Sequence, residues 1–246
     1  MLIRLMVLTC LISSAAIADN KTVYLVSLEW PPYTGEMLNH QGASVAVARS
    51  MFEAMGYNLV VDFMPWSDAI KVGSDPKSKY MGFFPIYQSK TRDEQCHYSE
   101  PIGFSPLGFA QLKSLQLPLE NMDDLSGVAP IGVVKDYFNS EEFDARAKLG
   151  EILTVEAETD LKNLIQLGQN ELPLIVIDRH VMDYLLGAEN ALQPYRNNIS
   201  FNKMLLEEKR LYICFKKTPD AIQTLQVFNR GVEKINMRDF FNESLR

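Results

Sequence analysis

The stretch TVYLVSLEWPPYTGE, residues 22–36, joins a β-branched run to a pair of prolines and decides how the mature chain begins to fold. The run TVYLVS predicts a strand, because Val, Thr and Tyr suit a pleated, half-buried surface. Pro31 and Pro32 fix φ and remove two backbone donors, so the chain cannot continue as a central strand. We therefore expect a stiff, extended loop that holds the rings of Trp30 and Tyr33 at the carboxyl end of the strand.

The first residues of the chain have the layout of a secretory signal. Arg4 precedes an apolar stretch, residues 5–12, and the small-residue pattern at 16–18 predicts cleavage between Ala18 and Asp19. The apolar stretch is too short to span a bilayer as a permanent helix. We expect residues 1–18 to be a signal peptide and the product to be a soluble periplasmic protein.

Charge and composition exclude some classes of partner. Removal of the signal takes away Arg4 and changes the formal charge from −7 to −8. An acidic chain without a Lys/Arg stripe argues against nucleic acids and anionic membranes as partners. His40, His97 and His180 are scattered and show no metal-ligand spacing, so we expect neither a metal site nor a cofactor.

Strand and helix patterns alternate in the first third of the chain, which is typical of an α/β layer. Apolar residues at helical spacing predict a helix that Gly56 ends, and Ser67 is the predicted cap of a second, short helix. The predicted elements, in chain order, are a strand at 22–27, a helix at 42–56, a strand at 58–64, a helix at 66–72 and a strand at 80–84.

A second alternating set follows. Asn139 and Glu142 form a predicted capping box, Thr159 is the predicted cap of the next helix, and Thr218 followed by Pro219 opens a long last helix. The predicted strands cover residues 130–134, 152–156, 172–177 and 211–215, and the polar segment 193–210 separates the last two.

The two α/β units predict two lobes around a cleft. The sequence has no flexible linker, so we expect ordered crossovers near 104–112 and 200–208. The predicted lobes are residues 19–106 with 204–246, and residues 107–203. Clefts between domains are favoured ligand sites, and in open α/β sheets the ligand lies beyond the carboxyl ends of the strands.

Four motifs in this order behind a secretory signal are EWPPYTGE, SKTRDEQCHYSEP, PIGVVKDYF and LPLIVIDRHVMDYLL. Together they resemble the amino-acid-binding family (family 3) of bacterial extracellular solute-binding proteins, over nearly the whole mature chain. The resemblance implies an α/β, two-lobed periplasmic-binding-protein fold (type II), with mostly parallel sheets, helices on both faces and two crossovers at the hinge. It also implies a monomer that binds a small amino-acid-like or carboxylate ligand, with the membrane subunits of an ABC importer as possible partners.

The resemblance assigns two charged residues to the ligand. Arg92, in the motif that begins at Ser89, corresponds to the arginine that grips the α-carboxylate of an amino acid, as the guanidinium geometry allows. Asp178 corresponds to the acid that binds the ligand ammonium. From the residues alone, Arg92 could instead pair with Asp93 or Glu94 on the surface, and Asp178 could only cap the helix that follows it.

Aromatic residues dominate the rest of the predicted site. Trp30 stands where the family often stacks a ring on the ligand, while Trp30, Tyr33 and Trp66 could also simply pack their own segments. This sequence departs from the family pattern at Tyr87 and Tyr137, where small hydroxyl or glycine residues are usual. Because of these departures, the ligand could be a small carboxylate other than an α-amino acid, or it could be aromatic or cationic.

The mature chain keeps two cysteines, Cys96 and Cys214. Spacing alone favours two buried, inert thiols, whereas the family topology places their strands side by side and implies a possible disulfide.

Three functions fit the resemblance. We expect a binding protein for import and not an enzyme. The alternatives are a stand-alone ligand sensor and a dehydratase of small cyclic acids, which would need a general acid or base such as Glu29 in the cleft.

Overall fold

The computed structural model describes residues 21–89 and 93–245 of the chain. The predicted signal peptide and Arg92 lie outside the described residues. Within the two described ranges, no helix combines the length and the apolar character needed to cross a membrane.

A nine-stranded sheet runs through the molecule. Its path follows the order β2-β1-β3-β9-β5-β8-β6-β7, and β4 also pairs with β9. The β1, β2 and β3 strands are parallel to one another, as are β6, β7 and β8, while β5 and β9 pair antiparallel with their neighbours. The strands are β1 (Lys21–Ser27), β2 (Tyr57–Phe63), β3 (Gly82–Ile86), β4 (His97–Tyr98), β5 (Gly103–Leu112), β6 (Ile131–Val134), β7 (Thr154–Ala157), β8 (Leu174–Asp178) and β9 (Ile199–Phe215).

Helices connect the parallel strands and bury apolar side chains against the sheet. This is the arrangement that the two-lobed α/β prediction requires, and the fold class is confirmed. The helices are α1 (Ala43–Glu53), α2 (Trp66–Ser74), α3 (Glu141–Leu149), α4 (Asp160–Gly168), α5 (Arg179–Ala188), α6 (Pro219–Val232) and α7 (Met237–Ser244).

Two long antiparallel strands join the lobes. β5 and β9 pair with each other from Gly103 opposite Leu211 to Leu112 opposite Ile199, so both predicted crossovers are strands. The predicted polar segment at residues 199–210 is wrong, because β9 begins at Ile199. Four of its charged side chains are exposed and Lys209 is buried, while the backbone stays in the ladder with β5.

The segment after β1 is a tight turn, in place of the extended loop that the prolines predicted. The Trp30 N–H donates to the Thr34 carbonyl (2.8 Å), and the Thr34 N–H donates back to the Trp30 carbonyl (3.1 Å). Both prolines lie between these two residues, and the peptide bond that joins them is cis. Gly42 has a φ of 98° and packs below the turn, where a Cβ would come within 2.5 Å of the Tyr33 carbonyl oxygen.

Two predicted helix caps are confirmed. The Thr159 hydroxyl accepts from the backbone N–H of Lys162 (3.2 Å), and the Thr218 hydroxyl accepts from that of Ala221 (3.4 Å). Each satisfies a donor that the first turn of a helix leaves unpaired.

Two other predicted caps are wrong. The Ser140 hydroxyl, and not the Asn139 side chain, accepts from the backbone N–H of Phe143 (3.1 Å). Asn139 instead donates its amide to the Asp144 carboxylate (2.9 Å), which removes it from the cap position. Ser67 lies inside α2 and makes no cap bond.

A disulfide joins Cys96 to Cys214, so the pairing that the family resemblance implied is present. The bond lies between two strands, because Cys214 is on β9 and Cys96 immediately precedes β4, which pairs with β9. It closes a loop whose ends are 118 residues apart in the sequence.

We predict that the double substitution Cys96→Ala/Cys214→Ala lowers the free energy of unfolding by up to about 5 kcal/mol. A cross-link over this separation restricts the unfolded chain by roughly that amount in the chain-entropy model. Urea unfolding of oxidised wild type and of the variant measures the difference. A reducing agent should lower the wild type to the level of the variant and leave the variant unchanged; equal stability of oxidised and reduced wild type would refute the expectation.

Candidate functional site

Four aromatic rings from both lobes meet at the carboxyl ends of the strands. Trp30 and Tyr33 come from the turn after β1, Tyr87 follows β3, and Tyr137 follows β6. The Trp30 ring centroid lies 4.7 Å from that of Tyr33, 6.1 Å from that of Tyr87 and 6.3 Å from that of Tyr137. The last two rings meet Trp30 edge-on, an arrangement that aromatic quadrupoles favour. Trp30 is therefore the centre of an aromatic cluster that spans the cleft.

A small cavity lies beside this cluster, with a volume of about 40 Å³. Trp66 lines this cavity and also lines a wider opening of about 620 Å³ toward solvent. The residues around the small cavity are Leu28, Trp30, Trp66, Pro85, Ile86, Tyr87, Tyr137 and Phe138.

Asp178 ends β8 and caps α5, and its carboxylate is 2% exposed. Its Oδ1 accepts from the backbone N–H of Val181 (2.9 Å), which is the cap bond that the sequence allowed. Its Oδ2 accepts from the Ser105 hydroxyl (2.5 Å). The Tyr33 hydroxyl lies 2.9 Å from both carboxylate oxygens. Burial raises the pKa of Asp178, while these hydrogen bonds and the nearby His180 ring lower it.

Tyr33 links the two sides of the cleft. Besides Asp178, its hydroxyl contacts Nδ1 of His180 (2.9 Å). Since Tyr33 has one proton and donates it to Asp178, His180 must carry the proton on Nδ1 and donate to the Tyr33 oxygen. Phe241 on α7 stacks on the Tyr33 ring with centroids 6.0 Å apart. Burial raises the pKa of Tyr33 well above its usual value, and the Asp178 charge raises it further.

Tyr87 extends the same network. Its hydroxyl lies 2.6 Å from the Ser105 hydroxyl. Because Ser105 gives its proton to Asp178, Tyr87 must donate to the Ser105 oxygen. The Asp178 carboxylate therefore has three donors. They are the Tyr33 hydroxyl from one lobe, the Val181 N–H from the other, and the Ser105 hydroxyl from β5, which joins the lobes.

Asp160 is a buried acid that follows the predicted cap Thr159 and is not among the predicted site residues. It is the first residue of α4 and is 8% exposed. Burial first, and then the charge of Asp178, raise its pKa to about 7. The Trp30 indole and the Tyr137 hydroxyl face the carboxyl and lower its pKa. The Trp30 Nε1 atom is nevertheless buried with no partner at hydrogen-bonding distance.

A sequence signal for Asp160 was available. Thr159 was the predicted cap of a helix that follows a predicted strand, and residues at that position lie at the ligand edge of an open α/β sheet. An acid in the first turn of a helix is also common because it interacts favourably with the helix dipole. The sequence alone therefore does not distinguish a ligand-binding acid from one that only stabilises the helix.

The structure places the remaining predicted residues at different distances from this cluster. Trp66 lies at the mouth of the cavity. Ser89 is buried, and its backbone N–H points to the Tyr98 hydroxyl (3.4 Å). Glu29 is exposed and accepts from the backbone N–H of Glu36 (2.9 Å). Arg92 belongs to the part of the chain that the structure does not describe.

Among the described residues, no group of three or more His, Cys, Asp and Glu side chains is placed to hold a metal ion.

Comparisons with known proteins identify the fold. No protein-family model and no curated protein matches the sequence. A histidine kinase sensor domain with similarity to periplasmic binding proteins has a TM-score of 0.75 and 16% identity over 91% of this chain and 94% of that chain. An ancestral arginine-binding protein bound to arginine has a TM-score of 0.70 and 16% identity, covering 91% and 96%. An ancestral amino acid-binding protein described as a precursor of cyclohexadienyl dehydratase has a TM-score of 0.67 and 13% identity, covering 90% and 92%. The chain therefore has the periplasmic-binding-protein fold.

We predict that Tyr33→Phe lowers the free energy of unfolding by about 1–3 kcal/mol, because the buried Asp178 carboxylate loses a donor that water cannot replace. Urea unfolding at pH 7 measures the change. Tyr24→Phe is the matched control, since Tyr24 lies on β1 and makes no hydrogen bond through its hydroxyl within the described structure. A Tyr33→Phe variant as stable as the control would contradict the role of the bond.

We also predict that Asp160 makes stability depend on pH. Its pKa is about 7 in the folded protein and about 3.9 in an unfolded chain, so the folded state holds the proton more tightly. The free energy of unfolding should therefore fall as pH rises from about 4 to about 7, and the contribution of Asp160 should be constant above that range. Asp160→Asn should remove this component, which is on the order of a few kcal/mol.

Urea unfolding at four pH values between 4 and 8.5 tests this expectation. Asp178 also has a raised pKa, so the informative quantity is the difference between wild type and variant. Parallel pH profiles for the two proteins would show that Asp160 does not titrate in this range.

Proposed function

We propose that the protein is a periplasmic solute-binding protein that closes two lobes on a small amino-acid-like or carboxylate ligand. The observation that carries the proposal is the cleft itself, in which Trp30, Tyr33 and Tyr87 from one side meet Tyr137 and Asp178 from the other. Such a site combines apolar rings with few polar groups, as small-molecule sites in clefts commonly do.

Closure would be a rotation of one lobe against the other about β5 and β9. The lobes in this proposal are residues 19–106 with 204–246, and residues 107–203. A ligand that contacts both lobes favours the closed form, because it gains contacts there that the open form cannot offer.

Charged ends of the ligand have two proposed partners. Arg92 would hold a carboxylate through its guanidinium, and Asp178 would hold an ammonium. Because the Tyr33 hydroxyl lies 2.9 Å from both oxygens of Asp178, an ammonium that binds this acid would compete with Tyr33. Opening of the lobes would separate the two groups and make that exchange possible.

The output of ligand binding would be import through the membrane subunits of an ABC transporter, with the protein acting as a monomer. A sensor that reports ligand occupancy to a membrane receptor would use the same closing movement. The similarity to a histidine kinase sensor domain supports considering this second output.

An enzyme is the second candidate, and one specific observation favours it. Asp160 is buried in the cleft and has a pKa of about 7, as a general acid or base at neutral pH requires. The likeness to an amino acid-binding precursor of a dehydratase is in keeping with this candidate. Formation of product from small cyclic carboxylic acids, lost in Asp160→Asn, would decide for the enzyme, and binding without turnover would decide against it.

We predict that an amino acid or a small carboxylate raises the melting temperature of the mature protein, since a ligand selective for the folded state stabilises it by mass action. Arg92→Ala should weaken binding of that ligand by about tenfold to a hundredfold, the range expected when a charged hydrogen bond is lost. Isothermal titration calorimetry measures the affinities.

Arg92→Lys is the matched control, because lysine keeps the charge and loses the two-pronged geometry. We expect its affinity to lie between those of wild type and Arg92→Ala. An Arg92→Ala variant with wild-type affinity would show that this arginine does not hold the ligand.

A further inference from the structure

The cleft contains two buried acids, but only one of them has its oxygens satisfied. The Asp178 carboxylate accepts hydrogen bonds from the Tyr33 hydroxyl, the Ser105 hydroxyl and the Val181 N–H. Asp160 is 8% exposed, and the donors that face its carboxyl are the Trp30 indole and the Tyr137 hydroxyl, with the Trp30 N–H beyond hydrogen-bonding distance. A buried carboxylate is stable as an ion only when a cation or several donors compensate its charge.

The surroundings of Asp160 are aromatic. Trp30 and Tyr137 face its carboxyl, and Tyr87 lies close enough for the charge of Asp160 to raise the pKa of its hydroxyl. A second, smaller cavity of about 10 Å³ touches Asp160, Asp178 and all three rings. The faces of Trp and Tyr attract cations, and the attraction grows when water is excluded.

The buried Trp30 Nε1 atom, which faces the Asp160 carboxyl, is a second indication of a ligand. Trp30 is 8% exposed and lines both cavities, yet its indole N–H has no hydrogen-bond partner. A buried donor without a partner is rare and needs an explanation. An ionised Asp160 drawn toward a ligand in this cavity would offer the acceptor that the indole lacks.

Lys209, a buried cation close to the same rings, is paired with another acid. Lys209 lies over the rings of Phe138 and Tyr87, with Nζ 4.9 Å and 5.7 Å from their centroids. It forms an ion pair with Glu207.

We propose that the cleft takes a small organic cation, whose ammonium head enters between Trp30, Tyr87 and Tyr137 and pairs with the Asp160 carboxylate. This inference rests on the proposed function, since the ligand enters the same cleft, and it names the chemical class of that ligand. Tyr33 can then remain on Asp178, because the positive charge is held by the other acid.

The test uses two pairs of probes that differ in charge and hardly in shape. Choline is compared with 3,3-dimethylbutan-1-ol, and L-lysine with L-6-hydroxynorleucine, by isothermal titration calorimetry on the mature protein. We expect at least one cation to bind at least tenfold more tightly than its neutral counterpart. Asp160→Asn should remove that preference, and Glu158→Gln, an exposed acid at the wider opening, should keep it within about twofold.

The release of a proton when a cation binds can be measured on the wild type alone. This measurement tests the proposal even if the Asp160→Asn variant folds poorly. The groups that face Asp160 are Asp178, Tyr137, Tyr87 and the Trp30 indole. The tyrosines have pKa values raised by burial and stay neutral, and Asp178 keeps its three hydrogen-bond donors whether or not a cation binds, so Asp160 is the group expected to lose a proton when a cation binds below pH 7. Affinity for the cation should then rise about tenfold from pH 6 to pH 8, and the binding heat at pH 6 should depend on the buffer.

The outcomes separate the two proposals. Equal binding of charged and neutral probes, or a cation preference that survives Asp160→Asn, overturns the cation site and leaves the binding function standing. Absence of binding for both cations, with a neutral amino acid or carboxylate still raising the melting temperature, also overturns the cation site alone. Absence of any stabilising ligand overturns both.

Discussion

The hydrogen bonds from the Tyr33 hydroxyl to the two oxygens of Asp178 join parts of the chain that lie 145 residues apart. Both side chains are buried, so a gap between them would leave polar groups away from water and without partners. The Asp178 carboxylate also caps α5, which ties the start of that helix to the turn after β1. Phe241 stacks on Tyr33 and limits where its ring can go. The relative positions of the aromatic rings in the cleft depend on this contact.

The unequal hydrogen bonding of the two acids follows from where each stands in its helix. Asp178 is a cap residue, so its side chain folds back onto a free backbone N–H and meets other donors there. Asp160 comes one position later in its helix, after Thr159 has already taken the cap, and its carboxyl extends into the cleft. Burial and the Asp178 charge therefore raise the pKa of the Asp160 carboxyl to about 7.

Local patterns in the sequence predicted much of the fold and part of the site. The caps at Thr159 and Thr218 followed from side-chain chemistry that acts within one helical turn. The extent of β9 could not be predicted in this way. Its polar half is a strand because it pairs with β5, which lies about a hundred residues away in the sequence. The same limit applies to Asp160, whose burial depends on rings brought in from three other segments. Arg92, assigned through the family resemblance, lies outside the described residues, and its role remains a proposal.

The pairing of β5 with β9 is irregular where the lobes meet. Its register shifts between Leu107 and Gly108 and again before Ala110, and a Cβ on Gly108 would come within 2.8 Å of the Phe201 ring. Strands bend most easily where the ladder is interrupted, so a rotation of the lobes would centre there. Asp178 pairs with Leu107 in the sheet and would move little in such a rotation. Tyr33 and Asp178 belong to different lobes in the proposed division, so opening would separate Tyr33 from Asp178, while the hydrogen bond from Ser105 on the neighbouring strand β5 would stay in place.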